Sequence, residues 1–447
     1  MSDHRSVTGP DDGRGDGARF GALGFREFRL LCGGQFAADI AINVQLFTIN
    51  WHMFELLHGS TYAVSLLGFQ FTLNGAAAGL GGIGLMRLLP TLVFGVIGGL
   101  CADAYDRRGL MLWTRLAGAV VVAGLFAAEA GGTVGVGLLY LVSALTAALH
   151  AFDTPARQAL VPASVPARQL SHAISIFNLT WRISAVLSPA LAAALIASLS
   201  LTAAYGVVAV GFAVPVWCLA MLRLKRADDG PRATPGVAAF LEGFSFVRGH
   251  KILWASILAD FIAACFTSIS VLLPILAEVV FDAGVSGYGL LAAGQPVGAC
   301  VTGLALAYWH RLRKQGPVMV WCLAVYGAGA VLVGMSQSIY LSFALLTVVG
   351  AADTISSMIR SMMRQMLTPD ALRGRVLSIA MLFFRGGPRI GEMQAGLIAA
   401  LVGAPVALVI GGAATILGVG LVLWRLPQIL KYDRFEYEPP AGGGAKA

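Results

Sequence analysis

The chain has 447 residues, 57% of them apolar and only 12% charged, with a formal net charge of +8. A water-soluble chain carries about 25% charged residues, and the shortfall excludes a large soluble enzyme, a nucleic-acid-binding domain and a disordered chain. The six cysteines (Cys32, Cys101, Cys218, Cys265, Cys300, Cys322) stand singly in apolar runs, with no Cys-x-x-Cys spacing, so neither a disulfide scaffold nor a zinc site is indicated.

Residues 1–24 are polar and rich in Gly and Asp, with no apolar core. They are expected to be a disordered tail and not a cleavable signal peptide. A helix that crosses a bilayer needs about 20 mostly apolar residues. Twelve such runs follow, at 28–56, 78–102, 111–130, 134–153, 173–198, 202–222, 252–281, 286–309, 317–336, 338–359, 376–402 and 404–425. Between the sixth and seventh lies the longest polar internal stretch, 223–250, with Lys225, Arg226, Asp228, Asp229, Pro231 and Pro235. Its composition is that of a linker. It divides the chain into an N-terminal six-helix bundle, 25–222, and a C-terminal one, 251–426, before a second tail at 427–447. Residues 62–102 are too long for one helix, and two spans there would break the charge pattern described next. We expect one span with a kinked or re-entrant extension over 62–77, where Asn74 and a Gly-rich run favour a break.

Lysine and arginine fix the direction of the spans. The odd-numbered connections contain none. The even ones contain Arg107/Arg108, Arg157/Arg168, Arg223 to Lys251, Arg311/Arg313/Lys314 and Arg360 to Arg375, and both tails are basic. Basic loops mark the cytoplasmic face. Both termini are therefore expected in the cytoplasm, and the positive charge reflects topology, with no nucleic-acid partner.

The halves repeat weakly. A shift of 203 residues brings Ser378-Ile379 onto Ser175-Ile176, Leu382 onto Leu179, Arg385 onto Arg182 and Ala395 onto Ala192. The fourth and tenth spans share Phe152-Asp153-Thr154 and Ala352-Asp353-Thr354. An arginine that recurs in mid-span is the informative match.

The loop after the second span reads Gly98-Gly99-Leu100-Cys101-Ala102-Asp103-Ala104-Tyr105-Asp106-Arg107-Arg108. It resembles the Gly-x-x-x-Asp-Arg-x-x-Arg-Arg loop of the major facilitator superfamily. Gly99, Asp103, Arg107 and Arg108 match, whereas Ala104 stands where the family usually has arginine. The resemblance implies a conformational latch in which Asp103 holds the cytoplasmic side shut. Residues 153–170, Leu179 to Arg182 with Ser188-Pro189, and the segments 371–376 and 391–396 look like the branch that holds enterobactin exporters and transmembrane secretion effectors. There the fifth span usually carries Gly-Pro. Ser188 and Pro189 with Ala192 and Ala193 keep the small-residue packing role without the glycine.

Ionisable residues in mid-span are costly and mark function by default. Asp39, Asp260 and Glu392 are the acids placed there, with Arg87, Arg182, Arg385 and Arg389 as the bases. Arginine does not deprotonate at physiological pH, so a coupling proton would ride on Asp39, Glu392 or Asp260. Arg182, Arg385 and Arg87 would pair charges or hold substrate. Asp153/Arg157 and Asp353/Arg360 read as interface pairs near cytoplasmic helix ends. Most histidines, His150 among them, read as surface or loop residues, and Phe69, Phe71 and Phe94 as possible cavity lining. There is no nucleophile elbow, P-loop or His-Glu-x-x-His.

The expectation is an all-α membrane protein of twelve transmembrane helices in two pseudo-symmetric bundles. The resemblance implies a monomeric secondary transporter of the bacterial inner membrane, not an enzyme. It would export a small organic molecule, a siderophore or an amphipathic drug, by proton antiport, with no cofactor or metal. Uptake symport on the same fold and a lipid-handling or scaffold role are the alternatives.

Overall fold

The computed structural model describes residues 21–66, 69–104, 106–222, 237–308, 313–369 and 372–433. In chain order the first half comprises α1 (Arg26–Leu57), a two-stranded hairpin of β1 (Thr61–Leu66) and β2 (Phe69–Asn74), α2 (Gly75–Ala104), α3 (Arg107–Ala130), α4 (Val136–Ala163), α5 (Leu170–Ser198) and α6 (Leu201–Ala220). A shorter α7 (Val237–Gly249) precedes the second half, which holds α8 (Lys251–Phe266), the one-turn α9 (Leu273–Ile275), α10 (Gly284–Tyr308), α11 (Gln315–Met335), α12 (Ile339–Leu367), α13 (Arg373–Val402) and α14 (Ala404–Arg425).

Eleven spans are long and apolar enough to cross a membrane by length and composition, α8 and α9 counting together as the seventh. The twelfth is α13, 30 residues long, in which Arg385, Arg389 and Glu392 interrupt the apolar run. Charges at that depth survive only if they face protein or water, and α13 is held between α2 and α8. The chain is thus a multi-pass membrane protein with twelve transmembrane helices, as the sequence predicts.

Local chemistry sets the ends. Asp106 caps α3 by accepting from the amide of Gly109 at 2.8 Å, and Ser200 caps α6 by accepting from that of Ala203 at 3.0 Å. Gly403, at φ +86°, turns the chain directly from α13 into α14. The seventh span breaks at the polar run Thr267 to Ser270. The Thr267 carbonyl accepts from the Tyr326 hydroxyl at 3.0 Å, and the Thr267 side chain pairs with Thr415 at 2.6 Å.

Three expectations need correction. Residues 61–74 form an antiparallel hairpin with Thr61 opposite Asn74 and Leu66 opposite Phe69, not a kinked or re-entrant helix. The period of two in Phe69-Gln70-Phe71-Thr72-Leu73 is that of a strand, which uncharged length alone does not distinguish from a helix. Second, α4 and α12 run to Ala163 and Leu367, ten and eight residues past their expected ends. Hydropathy stops where charge begins, but a charge matched inside the protein does not stop a helix. Third, residues 237–249 of the stretch read as a linker form α7, which packs on α8 and α13. Val247 is buried against Ile257, Val376 and Ile379. At the other end of the chain, Pro427–Lys431 form a short 3-10 turn, and the amide of Gly316 donates to the carbonyl of Tyr432 at 3.0 Å. The expected tail at 1–24 falls mostly outside the described residues.

The connections alternate between the end of the molecule that carries the termini and the end that carries the hairpin. The close contacts between halves gather toward the hairpin end. Gly81 of α2 meets Gly396 of α13 backbone to backbone, and a Cβ on Gly396 would lie 2.3 Å from the Gly81 Cα. On α10, Gly289 packs on Pro189 and Ala193 of α5, where a Cβ would lie 2.4 Å from that of Ala193. Phe47 of α1 stacks on Tyr288 of α10 at 3.9 Å, with Trp51 behind at 5.9 Å.

Candidate functional site

Two groups of ionisable residues lie inside the spans, one per half, and a third bridges the halves. In the first half, Gln35 and Asp39 are four residues apart on α1, as are Asp153 and Arg157 on α4, so each pair shares a helix face. Arg115 of α3 stands between them. Its Nε and Nη2 donate to the two oxygens of Asp153, each at 2.7 Å, and Nη2 also donates to Gln35 Oε1 at 2.9 Å. Gln35 Nε2 donates to Asp39 Oδ1 at 2.6 Å. Arg157 closes the ring, 4.0 Å from Asp39 and 3.9 Å from Asp153. Gln35, Asp39, Arg115 and Asp153 are all buried. Asp39 Oδ2 has no hydrogen-bond partner among the described residues. His150 lines a small pocket with Arg115, Asp153, Thr114, Thr146 and Phe212.

In the second half Arg360 of α12 takes the central place. Its Nη2 lies 2.8 Å from Asp260 of α8 and 3.8 Å from Asp353, two turns earlier on its own helix, and its Nη1 donates to Ser356. Arg360 is buried, and Asp353 is 56% exposed.

The third group joins the halves. On α13, Glu392 pairs with Arg389, and Arg87 of α2 lies 3.6 Å away. Arg182 of α5 donates to the carbonyl of Ala299 on α10 at 3.0 Å. Arg385 makes no ion pair with any described residue; its charged neighbour is Arg157, across the interface. The repeat read from sequence thus brings Arg182 and Arg385 to the middle of the molecule in different circumstances, one on a carbonyl and one unpaired. Ser188 and Pro189 are buried, and the Ser188 hydroxyl donates to the carbonyl of Ser184 at 2.6 Å. Gly289 of α10 seats on the Pro189 carbonyl.

The signature loop is partly in view. Gly99 and Asp103 lie in the last turns of α2, and their side chains fall outside the described residues. Arg108 donates to the carbonyls of Leu219 and Ala220 at 3.2 and 3.0 Å, so it caps α6 of its own half. Arg107 lies at the start of α3 and interacts with its surroundings. Phe94 packs on Phe152 at 5.7 Å; the side chains of Phe69 and Phe71 fall outside the described residues.

Sequence reading missed Arg115 and Gln35 and misplaced Asp153. Read as part of an interface pair near a helix end, Asp153 is buried within the first half with ten residues of α4 beyond it. Arg115, a lone arginine in the third apolar run, was the available signal. Near the hairpin end, His52 is buried with Nδ1 3.1 Å from the Tyr205 hydroxyl and Nε2 3.8 Å from Glu129. His150 also lies inside a span. Among the described residues no group of three or more His, Cys, Asp or Glu could hold a metal ion.

Two six-span halves, packed through glycine seams and enclosing paired charges at mid-depth, define a membrane transporter of the major facilitator type. The family model described as transmembrane secretion effector matches residues 27–439, and the chain belongs to that family, whose members are transporters and not enzymes. It is 25% identical over 380 residues to the enterobactin exporter EntS of Shigella boydii serotype 4, covering 85% of this chain and 87% of that one. With the Citrobacter koseri protein of the same name the identity is 26% over 388 residues, covering 86% and 88%. Among solved structures, the nucleoside transporter NupG superposes with a TM-score of 0.69 at 13% identity, covering 91% of this chain and 100% of the other. A bacterial homologue of the human lysosomal transporter Spinster, in an inward-facing and unoccupied conformation, gives 0.65 at 13%, covering 91% and 96%. At those identities the likeness to solved structures establishes the fold alone.

Proposed function

We propose that the protein exports a small organic molecule, a siderophore or an amphipathic drug, in exchange for protons, by alternating access between bundles 25–222 and 251–426. It works as a monomer in the bacterial inner membrane, with both termini in the cytoplasm and the proton gradient as its energy source. Similarity to enterobactin exporters over most of the chain supports the direction and the substrate class. The contacts between halves near the hairpin end support an inward-open state when that end faces the periplasm.

The observation that carries proton coupling is the buried, unpartnered Oδ2 of Asp39. A proton there displaces no existing hydrogen bond. The other two candidates are already engaged, Glu392 by Arg389 and Arg87, Asp260 by Arg360. Asp39 therefore leads as the coupling acid. Arg385, without an ion pair among the described residues and near Arg157 of the other half, leads as the contact for an acidic group of the cargo, with Arg182 as its counterpart in the repeat. Asp103 acts as the latch, with Gly99, Arg107 and Arg108 shaping its loop.

Everted membrane vesicles with an acidic lumen test this reading. Labelled enterobactin should accumulate in vesicles that carry the protein, and dissipating the pH gradient should stop it. Asp39→Asn should abolish accumulation while leaving exchange between equal concentrations, which moves no net proton. Full pH-driven accumulation by Asp39→Asn would remove Asp39 from the mechanism, and equal accumulation in vesicles lacking the protein would remove this cargo.

A further inference from the structure

Asp353 is unlike the other acids in the spans. It lies fourteen residues from each end of the 29-residue α12, about 21 Å along the helix from either end at 1.5 Å per residue. A carboxylate at that depth would normally be buried and paired, yet its side chain is 56% exposed. The exposure is not toward lipid. Groups from four helices surround it: Arg360 on α12, Asp260 on α8, Tyr326 and Cys322 on α11, and Arg182 on α5 of the other half. On its remaining flank α10 meets α12 backbone to backbone at Gly298 and Gln295. The exposed face of Asp353 therefore opens into the space between the halves.

The two carboxylates are unequally partnered. Arg360 is the cation between two carboxylates and is committed to Asp260 at 2.8 Å, leaving Asp353 the longer 3.8 Å contact. Arg364, one turn further along, has Asp260 as its acidic neighbour, not Asp353. Arg182 is held by the Ala299 carbonyl. Arg182 and Arg364 keep their charges nearby, so what distinguishes Asp353 is that its nearest cation, Arg360 at 3.8 Å, is committed to Asp260 and that its own side chain is exposed.

We propose that Asp353 is a specificity-determining residue that receives a cationic group of the transported molecule. Desolvated contact with a single carboxylate selects by charge. With Arg385 also near the other half and without an ion pair among the described residues, the interface suits an amphoteric cargo, its amine on Asp353 and its acid on an arginine. This refines the cargo of the exporter reading and rests on it for the direction of transport.

The test reads binding without a gradient. Detergent-purified protein is equilibrated with tetraphenylphosphonium or with tetraphenylborate, which has the same shape and the opposite charge. The wild type should bind the phosphonium. Asp353→Asn should weaken that binding at least tenfold, about 1.4 kcal/mol, leave the borate within twofold, and be rescued by Asp353→Glu. On the wild-type protein, saturating phosphonium should also slow carbodiimide labelling of Asp353, read by mass spectrometry, which needs no variant to fold. Unchanged phosphonium affinity in Asp353→Asn, or labelling unaffected by phosphonium, would overturn the proposal. A protein that binds the phosphonium through Asp353 yet shows no pH-driven accumulation would sink the exporter reading and leave this one standing.

Discussion

The two halves solve one electrostatic problem differently. Each places an acid on its first span (Asp39, Asp260), a second acid on its fourth (Asp153, Asp353), and an arginine one or two turns beyond (Arg157, Arg360). In the first half the third span adds Arg115, so two arginines meet two carboxylates and Gln35 fills the gap. In the second half the third span offers Cys322, buried near Arg360 and Asp353, and one arginine serves two acids. The acids of the first network are buried, whereas Asp353 of the second is exposed. The halves thus share a charged framework but differ in how many cations lie within 4 Å of its acids, Arg115 and Arg157 in the first and Arg360 in the second.

That contrast can be broken most forcefully at Arg115. Removing one partner of a buried ion pair leaves an uncompensated charge and costs about 3–5 kcal/mol. Arg115→Met should lose that much stability in a reversible unfolding titration in detergent micelles. A cost near zero would mean that water already reaches Asp153. Next in size is the paired comparison of Asp153→Asn and Asp353→Asn. The buried bidentate pair should make the first cost about 2 kcal/mol or more, and the exposed Asp353 should make the second cost under about 1 kcal/mol. Equal costs would erase the difference between the halves. A variant that gives the second half its missing cation, Cys322→Arg, should reduce tetraphenylphosphonium binding severalfold without loss of folded protein, as judged by gel filtration. Undiminished binding would place Cys322 away from the carboxylate. The smallest effect belongs to Glu242 of α7, whose partner Arg375 on α13 is exposed with it. Glu242→Gln should shift stability by no more than about 0.5 kcal/mol. A larger loss would show that α7 is fastened by charge and not by the Val247 cluster.

Most of the architecture was legible in the sequence because the bilayer imposes it. Hydropathy found all twelve spans, and the interruption at 223–250 divided them into halves. It failed at the hairpin because an uncharged run carries the same hydropathy whether it alternates or winds, and it ended α4 and α12 early because it counts Arg157 and Arg360 as exposed. The site was legible as a list of charged residues but not as a set of partners. Asp39, Asp260 and Glu392 stand out in an apolar chain. Nothing in their spacing says that Asp260 takes Arg360, that Glu392 lies between Arg389 and Arg87, or that Arg385 takes no acid among the described residues.

The sequence by itself determined the solvent of this protein, the number of its spans, and the family to which its loops and fourth and fifth spans point. These depend on composition and on short motifs, which are local. Tertiary structure alone decided which charges neutralise each other, that Arg115 belongs to Asp153 from 38 residues away, and that Asp353, in the middle of a helix, keeps an exposed side chain. The physical reason is that the energy of an ionisable group depends on the charges and solvent within a few ångströms of it, and in a helical bundle those neighbours come from other helices.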